Sequence, residues 1–226
     1  MKERSFDIRL FFLAGFILLS AAVATGALRS FDIAATRLVQ IFPLSFFDHL
    51  SLFFTILGSG ELTGAASLVF AWYLVKKRSG GYREAFYFLL LFGLSVAIEL
   101  TLKFTVAQPK VFEEFRRGLK IPVPVYSPLT PFAYPSGHAT RTTILLGFLY
   151  YLAGGFFKSV EKKDGNANSV RFPSCNKYLR PSLVFFYLMM LVSRVYEGSH
   201  WTCDIFGGVL LGGYLLASII SLIDRG

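Results

Sequence analysis

The sequence predicts an all-α fold: a bundle of six transmembrane helices that forms one domain over residues 1–226. Hydrophobic residues make up 54% of the chain and aromatic residues 17%, more than a soluble domain needs for one core. Long apolar runs recur along the chain, and several are long enough to cross a bilayer. The basic residues behind the net charge of +9 gather in short segments between those runs.

The first span is predicted at Leu10–Leu28, an apolar run with an arginine on either side. A cleaved signal peptide is the alternative for this segment. Lys2 and Arg4 give it a basic start, and Ala22–Ala24 resembles a cleavage site. Cleavage would leave the later topology unchanged.

Residues 30–50 mix charged and apolar side chains, which is typical of a helix that lies along the membrane interface. The second span is expected at Ser51–Val75. Because Gly58–Glu61 interrupts it, the first part is predicted as a short tilted helix, with the crossing proper starting near Leu62. The other four spans are predicted at Tyr87–Leu102, Ala139–Phe157, Ser182–Tyr196 and Ile205–Ile223.

The orientation follows from the lysines and arginines. Those in residues 1–9, 76–83 and 158–180 share one side, which should be cytoplasmic, and an even number of spans places both termini there. We expect an integral protein of the bacterial inner (plasma) membrane, with the bilayer as its surroundings and no obligate protein partner. Nucleic acid is not expected as a partner, because topology already explains the basic segments.

The two cysteines, Cys175 and Cys203, are predicted on opposite faces of the bilayer, so no bridge between them is expected. Neither has the spacing of a metal ligand.

Polar residues collect at the ends of the predicted spans on the outer, periplasmic side. Lys103 closes the third span, Ser136–His138 opens the fourth, and Arg194 closes the fifth. His200 and Asp204 open the sixth. The spans were assigned from apolar runs and the orientation from loop charge, so this coincidence is independent support for a site at the periplasmic membrane face.

These residue types suit a phosphate group. The start of a helix offers unpaired N–H groups and the positive end of the dipole, and Gly137 allows close approach of the backbone. The Ser136 hydroxyl can donate a hydrogen bond, and Arg194 has a planar fork that matches phosphoryl oxygens. Lys103 and Lys110 add positive charge.

His200 and Asp204 have the spacing of neighbours on one face of a helix. A carboxylate that binds one ring nitrogen leaves the other unprotonated, which is the form a histidine nucleophile needs. His138, on a different helix, is then available to protonate a leaving oxygen.

The motifs resemble those of the type-2 phosphatidate phosphatase superfamily, integral-membrane lipid phosphatases related to vanadium haloperoxidases and acid phosphatases. Ser193, Arg194, His200 and Asp204 match its third motif in full, and residues 135–138 match the second. The first motif of the family is a lysine, six residues and then arginine-proline. Its match in this chain is degenerate, because Lys103 is followed at the right distance by Lys110 and Val111.

The resemblance implies a six-helix core and a metal-independent phosphohistidine mechanism without a cofactor. It implies that His200 is the nucleophile, His138 the acid and then the base, and Asp204 the orienting carboxylate. The implied phosphate-binding residues are Lys103, Lys110, Ser136, Gly137 and Arg194.

The expected substrate is therefore a phosphorylated membrane lipid: lipid A phosphate, undecaprenyl diphosphate, phosphatidylglycerol phosphate or phosphatidate. One alternative is a phosphotransferase that passes the group to a second lipid. Another is an anion channel or transporter, against which the spans show no inverted repeat. A zinc site made of His138, His200 and Asp204 is a chemical alternative.

Two features have open alternatives. Arg116, Arg117 and Lys120 either grip an anionic lipid headgroup or belong to an amphipathic segment at the interface. Glu99 either pairs with Lys103, one turn later, or is a buried carboxyl that contacts the site. Arg141 either binds phosphate or pairs with Glu99.

Overall fold

The computed structural model describes residues 7–41, 45–77, 81–117, 130–161 and 176–224. Within these ranges the chain is all-α, as predicted, with eight α-helices, one short 3-10 turn at Glu113–Phe115 and no strand. The helices are α1 Ile8–Ala24, α2 Arg29–Val39, α3 Ser45–Leu57, α4 Gly60–Lys77, α5 Gly81–Thr105, α6 Gly137–Glu161, α7 Asn176–Tyr196 and α8 Thr202–Asp224.

Long apolar helices make this an integral membrane protein. Among the described residues, three helices are individually long and apolar enough to cross a bilayer: Gly81–Thr105, Tyr178–Tyr196 and Thr202–Ile223. The number rises to five when α1 with α2, and α3 with α4, are each counted as one bent span. The expected number of six is therefore not reached by this criterion.

The helix α6 has 25 residues, a length sufficient to cross a bilayer, and its first turns carry His138, Arg141 and three threonines. These polar turns lie where the candidate site is expected.

The segment predicted as one interfacial helix over residues 30–50 forms parts of two helices. Here α2 leaves α1 at an angle of 99°, and α3 begins at Ser45 and continues past the predicted boundary at residue 50. The predicted interruption at Gly58–Glu61 is confirmed as a break between α3 and α4, which meet at 50°.

The centre of the bundle is apolar and aromatic. Phe88 of α5 stacks on Phe148 of α6 with ring centroids 5.2 Å apart, and both rings are fully buried. Against them pack Ile144 of α6 and Leu215 and Ile219 of α8. Burial of large side chains of this kind contributes roughly 1.5–3 kcal/mol each relative to exposure to water.

Small residues bring α6 and α8 into close contact. A Cβ atom on Gly208 would lie 2.5 Å from the Ser136 carbonyl oxygen, and one on Gly212 would lie 2.8 Å from that of Thr140. Helices in membranes commonly associate through such residues, because without side chains their backbones can touch. The contact fixes the start of α6 against the start of α8.

The opposite end of the bundle brings the two ends of the described chain together. Arg9 of α1 donates to the Ser221 hydroxyl of α8 at 3.3 Å, and Arg83 of α5 donates to the Ile223 carbonyl at 3.1 Å. Residues from the predicted cytoplasmic tail and loop therefore meet the last turns of α8.

Candidate active site

His200 and Asp204 are in contact, although not in the way that the spacing predicts. Helix α8 begins at Thr202, so His200 lies in the turn before it rather than on its face. The buried Asp204 carboxylate reaches back, lying 3.3 Å from the His200 Nδ1 and accepting the Trp201 N–H at 3.0 Å. A hydrogen bond from the backbone N–H of the residue before a helix to a side chain in its first turn is one half of a capping box.

The environment of His200 favours its neutral form. Burial lowers the pKa of His200 well below its ordinary value of 6.5, and the positive charges of Lys103, Arg194 and Arg141 lower it further. With Nδ1 directed at Asp204, an unprotonated Nε2 is the nitrogen available for attack. Three cations from three helices therefore act on one imidazole.

The start of α6 has the features of an anion cradle. The Ser136 N–H donates to the Asp204 carbonyl at 3.0 Å, which ties this turn to α8. The Ser136 hydroxyl accepts the Ala139 N–H at 3.4 Å. The N–H groups of Gly137 and His138 have no partner among the described residues, because helix geometry gives them none. These two groups are free to bind a phosphoryl oxygen.

A buried ion cluster lies beneath this cradle. The Glu99 carboxylate is 2.9 Å from the Lys103 ammonium and 2.5 Å from the Arg141 guanidinium, so it pairs with both cations. A Cβ atom on Gly137 would lie 2.0 Å from Glu99 Oε1. The glycine is therefore required sterically, because any side chain at this position would collide with the carboxylate.

Arg194 is held by two partners that the sequence analysis did not identify. Its Nη1 donates to the Thr55 hydroxyl at 2.6 Å and to the Glu197 carboxylate at 2.9 Å. Thr55 in turn donates to the same carboxylate at 2.5 Å. The sequence could have indicated Glu197 as a partner, because it lies only three residues after Arg194. No feature of the sequence indicates Thr55, which belongs to α3.

Asp32 was also missed as a residue that supports the site. Its carboxylate is almost fully buried and accepts the Cys203 N–H at 2.8 Å and the Gln108 amide at 2.9 Å. It therefore stabilises the first turn of α8 together with Asp204.

The break between α3 and α4 forms a wall of the site. A Cβ atom on Gly58 would lie 3.0 Å from His138 Cδ2, and one on Gly60 would lie 3.8 Å from an Arg141 nitrogen. Irregular backbone at membrane depth is tolerated where it is buried in protein or lines a cavity. The interruption in the apolar run thus has a structural consequence for the site.

The basic loop after α5 is largely engaged with the protein itself. Arg117 donates to Asp48 at 3.0 Å and lies 4.3 Å from the centre of the Tyr196 ring, while Arg116 pairs with Glu113 at 2.6 Å. Lys110 is exposed and has no ion pair with another described residue. Lys120 and Cys175 lie outside the described residues.

The aromatic residues of this loop pack inside the protein. Phe115 is buried and packs with Phe112 against Trp201, the neighbour of His200. The Trp201 indole donates to the Pro109 carbonyl at 2.8 Å. The loop is thereby fixed to the turn that carries His200.

Several buried polar atoms at the site have no hydrogen-bond partner among the described residues. They are His138 Nε2, Arg141 Nε, Arg194 Nε and Asp204 Oδ1. Buried polar atoms in proteins are almost always bonded, so a cluster of such exceptions indicates a place where a polar ligand binds. No group of three or more metal-ligand side chains occurs in the described part of the chain, so His138, His200 and Asp204 do not form one.

Fold and site together define a helical membrane protein with two histidines and several cations at one end of the bundle. The PAP2 superfamily model matches residues 84–225, so the chain belongs to the PAP2 superfamily. This membership confirms the resemblance drawn from the motifs.

Two solved structures are similar over most of the chain. A transmembrane PAP2 type phosphatidylglycerolphosphate phosphatase from Bacillus subtilis matches with a TM-score of 0.74, 18% identity and 96% of each chain covered. LpxE from Aquifex aeolicus matches with a TM-score of 0.54 and 18% identity, covering 85% of this chain and 94% of its own. At these identities the two matches show a shared fold. Among curated proteins, no significant match was found.

Proposed function

We propose that this protein is a membrane lipid phosphatase that hydrolyses a phosphate or diphosphate ester through a phosphohistidine intermediate. The observation that carries the proposal is the arrangement around His200: a buried imidazole in contact with Asp204, with the charges of Lys103 and Arg194 lowering its pKa. A channel vestibule needs cations but has no use for an oriented nucleophile.

In the first step, His200 Nε2 attacks phosphorus and the bond from phosphorus to the lipid oxygen breaks. His138 gives its proton to that oxygen, so the lipid leaves as an alcohol, or as a monophosphate when the substrate is a diphosphate. In the second step, His138 takes a proton from water, the water oxygen attacks phosphorus, and inorganic phosphate leaves with His200 restored.

The phosphoryl oxygens are stabilised by groups already in place. The free N–H groups of Gly137 and His138 lie at the start of α6, where helix geometry directs them out of the helix, and Lys103 and Arg194 add charge. The Ser136 hydroxyl completes the set of donors. No metal ion has a role in these steps, so activity is expected to survive exhaustive chelation.

The lipid specificity is proposed at the level of class. Phosphatidylglycerol phosphate, phosphatidate, undecaprenyl diphosphate and lipid A phosphate all present phosphate on an apolar anchor, and the groups described above recognise only the phosphate. The name of the Bacillus subtilis protein makes phosphatidylglycerol phosphate the first lipid to test. Arg116, Arg117 and Lys120 remain candidates for headgroup binding, of which Arg116 is the most exposed among those described.

We further propose six crossings of the inner membrane, with both termini in the cytoplasm and the site facing the periplasm. The contacts of Arg9 and Arg83 with the last turns of α8 support termini on the basic side. The ends of α5 and α7 and the starts of α6 and α8 carry the site on the other side.

Phosphate release by the purified protein from each of the four lipids tests the proposal. The variant His200→Ala is expected to lose at least about 10³-fold in kcat, because the nucleophile is removed. His49→Ala, on α3 away from the site, is the matched control and should retain activity. Near-normal turnover by His200→Ala, or loss of activity on chelation, would contradict the mechanism.

The same assay separates hydrolysis from phosphotransfer. A hydrolase releases inorganic phosphate with a single lipid present, whereas a phosphotransferase needs a second lipid and yields a phosphorylated product. Release that depends entirely on an added acceptor lipid would overturn the proposal in favour of transfer.

A further inference from the structure

The first motif of this chain lacks an arginine. Lys110 stands at the expected position, and its side chain is exposed on the loop after α5. An ammonium there keeps the charge but not the planar, bidentate geometry with which a guanidinium binds phosphoryl oxygens. The site therefore contains one guanidinium fewer, unless another residue supplies it.

We propose that Arg141 supplies this guanidinium and is a phosphate-binding residue. The inference rests on the proposed function and extends it to a residue outside the three motifs. Arg141 lies one turn after His138 on α6, with a side chain only 12% exposed. The Glu99 carboxylate that it binds lies against Gly137, which places Arg141 beside the start of α6.

The hydrogen bonding of Arg141 leaves donors available. Its Nη1 is bonded to Glu99, whereas its Nε is buried and has no partner among the described residues. Gly60, on the break between α3 and α4, leaves space beside the guanidinium, since its Cβ position is 3.8 Å from Nη2. A buried guanidinium with an unbonded N–H, next to two unbonded backbone N–H groups, is suited to an oxyanion.

Glu99 acts as a positioning residue in this arrangement. Its carboxylate holds Lys103 at 2.9 Å and Arg141 at 2.5 Å, so both cations are fixed before substrate arrives. It also offsets part of the positive charge, which lowers the cost of burying two cations together. The competing explanation is that Arg141 serves only as a counter-ion for Glu99.

Equilibrium binding of inorganic phosphate to the full-length protein in detergent tests the assignment without turnover. Arg141→Lys keeps the charge and removes the fork, so the Kd for phosphate should rise about tenfold or more. The control is Arg180→Lys, because Arg180 also has a buried, unbonded Nε but stacks on Tyr150, which lies roughly 13.5 Å beyond Arg141 along α6. An unchanged Kd in Arg141→Lys, or an equal rise in Arg180→Lys, would overturn it.

A double variant separates phosphate binding from simple charge neutralisation. If Arg141 only compensates Glu99, the pair Glu99→Gln and Arg141→Gln should restore the phosphate Kd that Arg141→Gln alone loses. If Arg141 binds phosphate, the double variant stays about tenfold or more weaker than the parent. Thermal unfolding of each variant identifies any that fail to fold, in which case the conservative Arg141→Lys result decides.

The outcomes distinguish this inference from the proposed function. A parent protein that binds phosphate and hydrolyses lipid phosphate, with Arg141→Lys unaffected, refutes only the role of Arg141. A parent protein that neither binds phosphate nor releases it refutes both.

Discussion

Gly58 lies at the break between α3 and α4, against the imidazole of His138. A methyl group at this position would lie 3.0 Å from His138 Cδ2 and 3.3 Å from the Met190 side chain. Carbon atoms pack best at about 3.5–4.0 Å, so the ring must move by a few tenths of an ångström in Gly58→Ala. The backbone of Gly58 is not left-handed, so alanine introduces no strain of its own there.

The displacement of His138 sets the size of the effect. A misplacement of about 1 Å in a catalytic group costs on the order of 10²-fold in rate, so a shift of a few tenths of an ångström in Gly58→Ala should lower kcat by a few-fold to about 10-fold. This fall corresponds to at most about 1.4 kcal/mol of transition-state stabilisation. The substrate phosphate contacts are untouched, so KM should change little.

Gly64→Ala is the matched control for this prediction. Gly64 lies on α4, and a Cβ atom there would meet nothing within 4 Å. This variant should keep full kcat and gain about 0.5–1 kcal/mol of stability from the loss of a helical glycine. Phosphate release and thermal unfolding measure both variants. Full activity in Gly58→Ala, or an equal loss in both, would refute the position given to His138.

Three further predictions concern pH and support of the site. Because burial and neighbouring cations lower the pKa of His200, the acid limb of kcat/KM should fall below pH 6.5, and a limb at or above 6.5 would contradict this. Asp32→Ala leaves the Cys203 N–H and a glutamine amide unbonded and should lower Tm by about 4–8 °C in a thermal scan; an unchanged Tm would count against that support. A Cβ atom on Gly198 would lie 2.1 Å from a backbone carbonyl oxygen, so Gly198→Ala should lower the stability more than Gly26→Ala. Gly26 has the same left-handed backbone, but nothing lies near its Cβ position. Equal losses of stability would mean that only the backbone strain matters and would contradict the close contact at Gly198.

The fold was predictable where apolar runs are long and uninterrupted. The predicted span Tyr87–Leu102 lies within α5, Gly81–Thr105, which is longer because helix ends carry polar residues that hydropathy does not detect. Residues 30–50 were predicted as one interfacial helix and instead form parts of two, because α2 ends at Val39 and α3 begins at Ser45.

The site was predictable where its residues occur in short motifs at helix ends. Lys103 and Arg194, at the ends of α5 and α7, and His138, at the start of α6, all lie at one end of the bundle. The contacts that support the site were not predictable. Thr55 and Asp32 belong to helices that precede the motifs, and a single polar contact between helices leaves no repeating pattern in the sequence. Glu99 shows the limit most clearly: the spacing to Lys103 gave one partner, whereas the sequence left the pair with Arg141 as one of two alternatives and the fold shows that it forms.

The most direct test of the account is to trap the phosphoryl group on the protein. An aryl phosphate with a good leaving group needs no general acid, so His138→Ala should form the phosphohistidine but hydrolyse it slowly. Mass spectrometry of peptides after an alkaline quench should then find phosphate on His200, and none in the His200→Ala control. Turnover without a phosphorylated His200, or phosphate on another residue, would contradict the central claim that His200 attacks phosphorus.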